Sequence, residues 1–305
     1  MNIAVAIVNH NTYTHLKACL ETVVPERVHV IVVDNASDDD SPEMVASKFP
    51  EVELIRSPNQ GFGAGANIAF RHARTPYVLL LNSDTRLQAG AAAALAGYLD
   101  AHPQVGMVGP RLVNPDGSLQ PSIYPTPSPL ADLMRWTSFS AVAAHIPWLR
   151  RRYFIAWPHN RAEVVGWVAG AALAIRKEAF DAIGGFDTSF FMYSEEVDLA
   201  YSLQKAGWQV HFAPVATVTH FGGASTESYR SEMMARLFTS MHHFYRKHFS
   251  QNWQRQLKVM ITYFMIRNLV RDRWRLLRAR CPTQCDQLAQ DVVAWQRVLR
   301  VTWSA

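Results

Sequence analysis

The sequence predicts an α/β protein, a mostly parallel sheet flanked by helices, with a helical appendage behind it. Three observations carry that reading: short β-branched runs alternate with helical patterns, polar residues stand at the ends of those runs, and basic charge gathers late in the chain. "IAVAIV" and "VHVIVVD" are each followed by polar residues and then a helical pattern, "THLKACLETV" and "SPEMVASKF"; "VELIRS" and "YVLLLN" repeat the plan. Apolar runs of this kind suit strands buried on both faces, and open parallel sheets bind ligands beyond the carboxyl ends of their strands. Asn9, Asp34 and the Asn82–Ser83–Asp84 triplet all fall at such ends, on three different strands, and are expected to converge on one crevice.

Between them lies "GFGAGA", which satisfies the GxGxxA pattern of dinucleotide-binding folds. Its context argues against that function, because the fingerprint belongs directly after a strand, whereas Ser57, Pro58, Asn59 and Gln60 intervene here. The glycines still allow close approach of a ligand at a helix start, with Asn59 capping that helix or touching the ligand. Farther on, two apolar strands, in "VVGWVAGAALAIR" and "VHFAPVATVTH", flank a helix that opens on Glu195, Glu196 and Asp198. Acids favour a helix amino terminus, and Ser194 offers a cap. Three of them beside the aromatic "FFMY", expected to be exposed, repel one another, and such crowding raises a carboxyl pKa towards that of a general base.

Composition bounds the rest. A chain of 305 residues that is 49% hydrophobic buries a sizeable core. No apolar run approaches the roughly 20 residues that cross a bilayer, and "MNIAVAIVNHN" lacks the features of a secretory signal, so the expected location is the cytoplasm. Cys19, Cys281 and Cys285 are expected to be reduced thiols. The net charge of +5 is uneven: residues 226–280 hold 12 of the 30 Lys and Arg against Glu227, Glu232 and Asp272. Nucleic acid, an anionic membrane face and a solvated helical surface all suit such a patch. Interleaved "VMITYFMI", Trp253 and Trp274 favour the membrane over nucleic acid. Residues 121–163 mix prolines, aromatics and arginines, which suits an acceptor loop, a lipid surface, a partner or a plain ordered loop.

Taken together, "IVNHN", "VVDNASDDDS", "NQGFGAGAN", "LLLNSDT", "GGFDTSFFMYSEEVDL" and "HFGGAS" resemble the bacterial glycosyltransferases of family 2, in particular a rhamnosyltransferase-like subgroup, over about residues 2–225. The resemblance implies a GT-A fold, with residues 1–110 forming a nucleotide-sugar half, 111–225 an acceptor half and 226–305 the basic helical region. It implies inverting transfer of a sugar, L-rhamnose in that subgroup, from a dTDP or UDP donor to a glycan or polyprenyl-linked acceptor, assisted by Mg or Mn. By position, "NSD" stands for the family's DxD motif, which makes Asp84 a metal ligand with Asn82 and Ser83 beside the diphosphate. His220 completes the metal shell or touches the diphosphate, Asp34 reads the pyrimidine, and Asn9 and Asn59 line the donor site. Glu196 stands at the catalytic base, Glu195 is second, and Asp198, Trp167 and Gly170 are placed on the acceptor side.

The sequence departs from the family pattern at Asn82, where the first acid of DxD is replaced, at Glu196, more often Asp, and at Ser202, commonly Arg. Two other classes compete. A sugar nucleotidyltransferase would open on a glycine-rich, arginine-containing phosphate loop, which "VAIVNHNTYT" lacks; a noncatalytic sugar-nucleotide-binding protein would need Asp34 and Asp84 but not Glu196. No nucleic-acid partner is expected, and the basic region is expected to rest peripherally on the inner face of the cytoplasmic membrane.

Overall fold

The computed structural model describes residues 2–136, 139–222, 230–279 and 281–304. The expected boundary at 225/226 and the end of "HFGGAS" lie outside the described residues. Contacts divide the chain into two units, one of Met1–Thr126, Pro147–Phe191 and Glu195–Ser225, the other of Pro127–Ile146, Met192–Ser194 and Thr226–Ala305.

The first unit is built on a sheet. Its strands are β1 (Ile3–Asn9), β2 (His29–Asn35), β3 (Glu53–Ser57), β4 (Tyr77–Asn82), β5 (Thr85–Leu87), β6 (Val105–Val113), β7 (Ile123–Tyr124), β8 (Glu163–Val164), β9 (Trp167–Val168), β10 (Ala172–Arg176) and β11 (Gln209–His220). The main sheet runs β3-β2-β1-β4-β10-β6-β11-β5, with β8 against β11, while β7 and β9 form a separate pair. β1, β2, β3 and β4 are mutually parallel, as the alternating pattern predicts, and β6 and β11 are parallel as well. β10 enters antiparallel between β4 and β6. The chain order reverses between β1 and β4, and such a reversal opens a crevice at the carboxyl ends of the two strands.

Every residue of β1 is buried. Its alternate side chains feed two cores: Ile3, Val5 and Ile7 pack with Leu16, Leu20, Leu79, Leu95 and Leu99, whereas Ala4, Ala6 and Val8 pack with Ile31, Val33, Phe70 and Leu80. Period-two alternation on a strand covered on both sides produces this division. The helices covering it are α1 (Tyr13–Val23), α2 (Ser41–Lys48), α3 (Phe62–His72) and α4 (Ala91–Ala101). Beside the small pair β7–β9 the backbone segments approach so closely that a Cβ on Gly166 would lie 2.0 Å from the Thr126 backbone nitrogen. Backbone cannot move aside as a side-chain tip can, so Gly166→Ala is expected to cost about 3 kcal/mol or more. A fall in the urea midpoint checks this, and an unchanged midpoint would contradict the packing described.

The segment between β7 and β8 carries short helices, α5 (Pro129–Trp136), α6 (Phe139–Ala143) and α7 (Pro147–Arg152), of which α5 and α7 open on proline, the residue that suits a first helical position. After β10 come two helices where one was expected, α8 (Lys177–Ala182) and α9 (Glu195–Lys205). The second unit joins α5 and α6 to α10 (Arg230–His248), α11 (Gln251–Leu276) and α12 (Pro282–Ser304). In its interior the Tyr245 hydroxyl donates to Asp132 Oδ2, and burial pushes the Asp132 carboxyl up to about 6. Asp272 accepts both ends of the Arg271 guanidinium and the Trp295 indole N–H. No described helix is long and apolar enough to cross a membrane.

Candidate active site

The crevice forms where parallel pairing sets strand ends side by side. Asn9 lies opposite Asp34 in the β1–β2 register, and Val8 lies opposite Asn82 in the β1–β4 register. Asn9 Nδ2 donates to Asp34 Oδ1 at 2.8 Å, and the Thr12 hydroxyl lies 2.5 Å from Asn9 Oδ1 and 2.7 Å from the Ser83 hydroxyl. Asp34, Asn9, Thr12 and Ser83 therefore form one hydrogen-bonded chain across three strand ends, and Ser83 is the member of the triplet that joins it. Asp34 also accepts from the Ser37 hydroxyl at 2.6 Å and the Ser37 backbone N–H at 3.0 Å. Three accepted bonds leave a carboxylate little further capacity, so in this arrangement Asp34 fixes the loop that follows β2.

A two-residue turn, Ser83–Asp84, joins β4 to β5, and β5 pairs antiparallel with β11 so that Thr85 faces His220. That register brings His220 Nε2 to 3.3 Å from Asp84 Oδ1, and the Phe221 N–H donates to the Asp84 carbonyl at 3.0 Å. Burial alone would raise the Asp84 carboxyl, but the hydrogen bond and charge of His220, with a contribution from His15, outweigh it and hold the group below its usual range. On the far side of the imidazole, Nδ1 pairs with Gln120 Oε1 at 2.9 Å. A side-chain carbonyl can only accept, so Nδ1 carries hydrogen and Nε2 is the nitrogen turned to Asp84. Gln120 in turn donates to Asn114 Oδ1 at 2.9 Å. Sequence reasoning missed Gln120; it lies 100 residues from His220, and no local pattern marks it. Behind the turn, burial pushes the Cys19 thiol up to about 11, so it packs there as a neutral group against Thr85.

Asp84 and His220 form an oxygen and nitrogen pair of the kind that holds a divalent cation, and this donor chemistry fits Mn or Mg. No group of three or more His, Cys, Asp or Glu among the described residues could hold a metal ion. A cation at Asp84 would thus draw its other ligands from a bound diphosphate and from water.

The carboxylate cluster opens α9 next to this turn. The Asn82 N–H donates to the Ala171 carbonyl at 3.0 Å, and the neighbouring Gly170 faces Glu196, whose Cβ lies 3.5 Å from where a glycine Cβ would stand. Glu196 is half-buried, whereas Glu195 and Asp198 are buried. Burial, reinforced by the charge on Glu196, holds the Glu195 carboxyl well above the usual range, and its Oε2 has no hydrogen-bond partner among the described residues. Burial thus disfavours the charged form of Glu195, which separates the two glutamates chemically. Folding raises the Glu195 pKa, so the folded state binds that proton more tightly than the unfolded chain. Stability is full below the unfolded value and falls as pH rises towards the folded one. Glu195→Gln removes this penalty. Its thermal midpoint is expected to match wild type at about pH 4 and to exceed it increasingly as pH rises from there towards the folded value; a gap independent of pH would contradict the assignment.

Several expectations need correction. Trp167, expected on the acceptor side, is buried and stacks on Tyr124 with ring centroids 4.0 Å apart, so its ring supports the β7–β9 pair. Asp198, in the first turn of α9, is buried, 2% exposed. Asn59 does not cap α3; its Oδ1 accepts from the Gly61 N–H, while the Phe62 N–H donates to the Phe191 carbonyl. The glycines of "GFGAGA" admit protein, not ligand: Gly61, at φ +100°, abuts the Phe191 carbonyl, and a Cβ on Gly65 would meet Val8 at 2.9 Å. Ser194 takes φ +65°, outside the extended backbone of an N-cap. Of the aromatics before it, Phe190 is buried and Phe191 exposed.

The fold is that of the GT-A glycosyltransferases. The chain is similar to the mannosyltransferase PcManGT of Pyrobaculum calidifontis, solved in complex with GDP-Man and Mn2+, at a TM-score of 0.57 and 16% identity over 98% of this chain and 87% of that one. The glycosyl transferase family 2 model matches residues 4–184, and that of glycosyl transferase family group 2 matches residues 130–303. The chain belongs to glycosyltransferase family 2. It is 30% identical over 273 residues, 83% of this chain and 87% of the relative, to the N-acetylglucosaminyl-diphospho-decaprenol L-rhamnosyltransferase of Mycobacterium tuberculosis. It is 24% identical to the rhamnosyltransferase WbbL of Escherichia coli over 75% of this chain and 86% of that one.

Proposed function

We propose that this glycosyltransferase transfers L-rhamnose from a dTDP donor, with inversion, to a polyprenyl-diphosphate-linked glycan at the inner membrane face. The observation that carries the choice of sugar and acceptor is the likeness, over most of both chains, to a rhamnosyltransferase whose acceptor is a diphospho-decaprenol-linked N-acetylglucosamine. The site supports the reaction class. Asp84, held ionised, and His220, with Nε2 turned to it by Gln120, would hold a Mn or Mg ion, which when bound neutralises charge on a diphosphate. The loops tied by Asn9, Asp34 and Ser37 would seat the nucleoside.

The chain's own residues supply the remaining steps. Glu196, half-buried and facing Gly170, takes the proton of the acceptor hydroxyl as that oxygen attacks the anomeric carbon and the bond to the diphosphate breaks. Beside it, burial disfavours a second negative charge on Glu195. One displacement inverts the configuration and needs no enzyme nucleophile. The test is transfer by the purified protein from dTDP-rhamnose, and separately from UDP-sugars, to a short polyprenyl-diphosphate N-acetylglucosamine, with product linkage read by NMR. A β-linked donor should give an α-linked product; retention, or transfer from UDP-sugars alone, would overturn the reading.

A further inference from the structure

The sequence leaves open whether the basic region is a solvated surface or a lipid-binding one, and α11 resolves this into particular side chains. Leu257, Ile261, Phe264, Met265 and Asp272 of this helix are buried. On its opposite side Val259, Tyr263, Ile266, Val270, Trp274 and Leu277 are exposed, from 49% at Ile266 to 86% at Leu277. Their spacings of three and four residues place them in an arc of about 80°, along about 27 Å of helix, at about 100° and 1.5 Å per residue. A solvated helix has no reason to carry a second apolar stripe facing away from its core.

The border of the stripe says what it faces. Arg255 and Arg273 fall along one edge, Arg267 and Arg278 along the other, all on the exposed side of α11 or directly after it. From Gln251 to Leu276 the helix holds six Lys and Arg against one acid, Asp272, which is buried and paired with Arg271. Trp274 is sandwiched under the Arg278 guanidinium, 3.4 Å from the ring centroid. At that end a cleft of about 520 Å³ between α11 and α12 is lined by Trp274, Arg275, Arg278, Leu288, Gln287 and Asp291, two guanidinium groups against one carboxylate. An apolar strip with Tyr and Trp along it and arginines at both margins matches the boundary between acyl chains and phosphate headgroups. A protein partner would have to bury those arginines or pair them.

We infer that the Val259–Leu277 face of α11 is a membrane-docking surface that lies flat in an anionic bilayer, with the stripe among the acyl chains and Arg255, Arg267, Arg273 and Arg278 on lipid phosphates. The inference rests on the membrane location in the proposed function but not on its chemistry. Co-sedimentation of the full chain with phosphatidylcholine vesicles, with and without phosphatidylglycerol, tests it, and dTDP binding is measured in parallel on every variant. Wild type is expected to bind the anionic vesicles at least tenfold more tightly and to lose that advantage at high salt. Ile266→Asp with Val270→Asp should cut binding more than tenfold; Arg267→Gln with Arg273→Gln should cut it about tenfold on anionic vesicles alone. If the aspartate variant does not fold, the glutamine pair decides. Absence of vesicle binding by wild type, binding unaffected by either pair, or a dimer that the aspartates dissolve without any vesicle binding would overturn the inference. Lost vesicle binding with dTDP binding intact bears on this surface only, whereas lost dTDP binding by wild type bears on the proposed function.

Discussion

Glu196→Gln is expected to lower sugar transfer by about 10²–10⁴-fold while leaving dTDP binding within a few-fold of wild type. The substitution keeps size and polarity and removes only the capacity to accept a proton. Gly170 leaves room beside the Glu196 side chain, with 3.5 Å between its virtual Cβ and the glutamate, so the amide fits without strain. Two features make the loss specific to Glu196. Glu195 is adjacent, but burial disfavours its charged form and it stands apart from the face that Glu196 turns to Gly170, and Asp198 is buried. Comparing Glu196→Gln with Glu195→Gln in single-turnover transfer separates the roles: the first should lose the chemical step, the second should retain far more of it. Equal loss in both would mean that the pair acts as one unit and that the base is not assigned. Undiminished transfer by Glu196→Gln would place the base elsewhere.

The sheet was legible where its strands are long and β-branched. β1 and β4 announce themselves because burial on both faces demands continuous apolar runs, and the polar residues that end them mark the crevice. Short elements carry no such signal. β5 has three residues, yet its pairing with β11 is what sets Asp84 beside His220. Gln120 was invisible for the same reason: its role exists only through a contact across 100 residues. "GFGAGA" differs again: its context already set it apart from a dinucleotide fingerprint, but what its glycines approach was not legible. Its glycines are required by close packing of α3 against Val8, Phe186 and Phe191, a need indistinguishable in sequence from a need for phosphate. Trp167 likewise gives no sign in the sequence that its ring is stacked on Tyr124.

Asp84→Asn is expected to abolish the gain in dTDP affinity that Mn or Mg gives the wild type, a loss of about 100-fold or more at saturating cation, with little change in affinity when the cation is withheld. The reason lies in how little else the protein offers. With Asn82 in place of a first acid, Asp84 supplies the only carboxylate of the turn, and among the described residues His220 is the ligand-type side chain that reaches it, at 3.3 Å. An amide oxygen in that place keeps the hydrogen-bonding shape and gives up the charge that a hard cation requires. Gln120→Ala should produce a weaker version, about tenfold in cation affinity, because the imidazole survives but loses the bond that turns Nε2 towards the carboxylate. The pH dependence also differs. His220 holds the wild-type carboxyl below its usual range, so its interaction is full above the unfolded carboxylate value and lost as pH falls through the folded one. Asp84→Asn should therefore be less stable than wild type near neutrality and converge with it in acid. Calorimetric titration of dTDP with and without cation, on wild type and both variants, reads the ion directly without requiring turnover. If the cation strengthens dTDP binding equally in wild type and Asp84→Asn, the turn after β4 does not hold it.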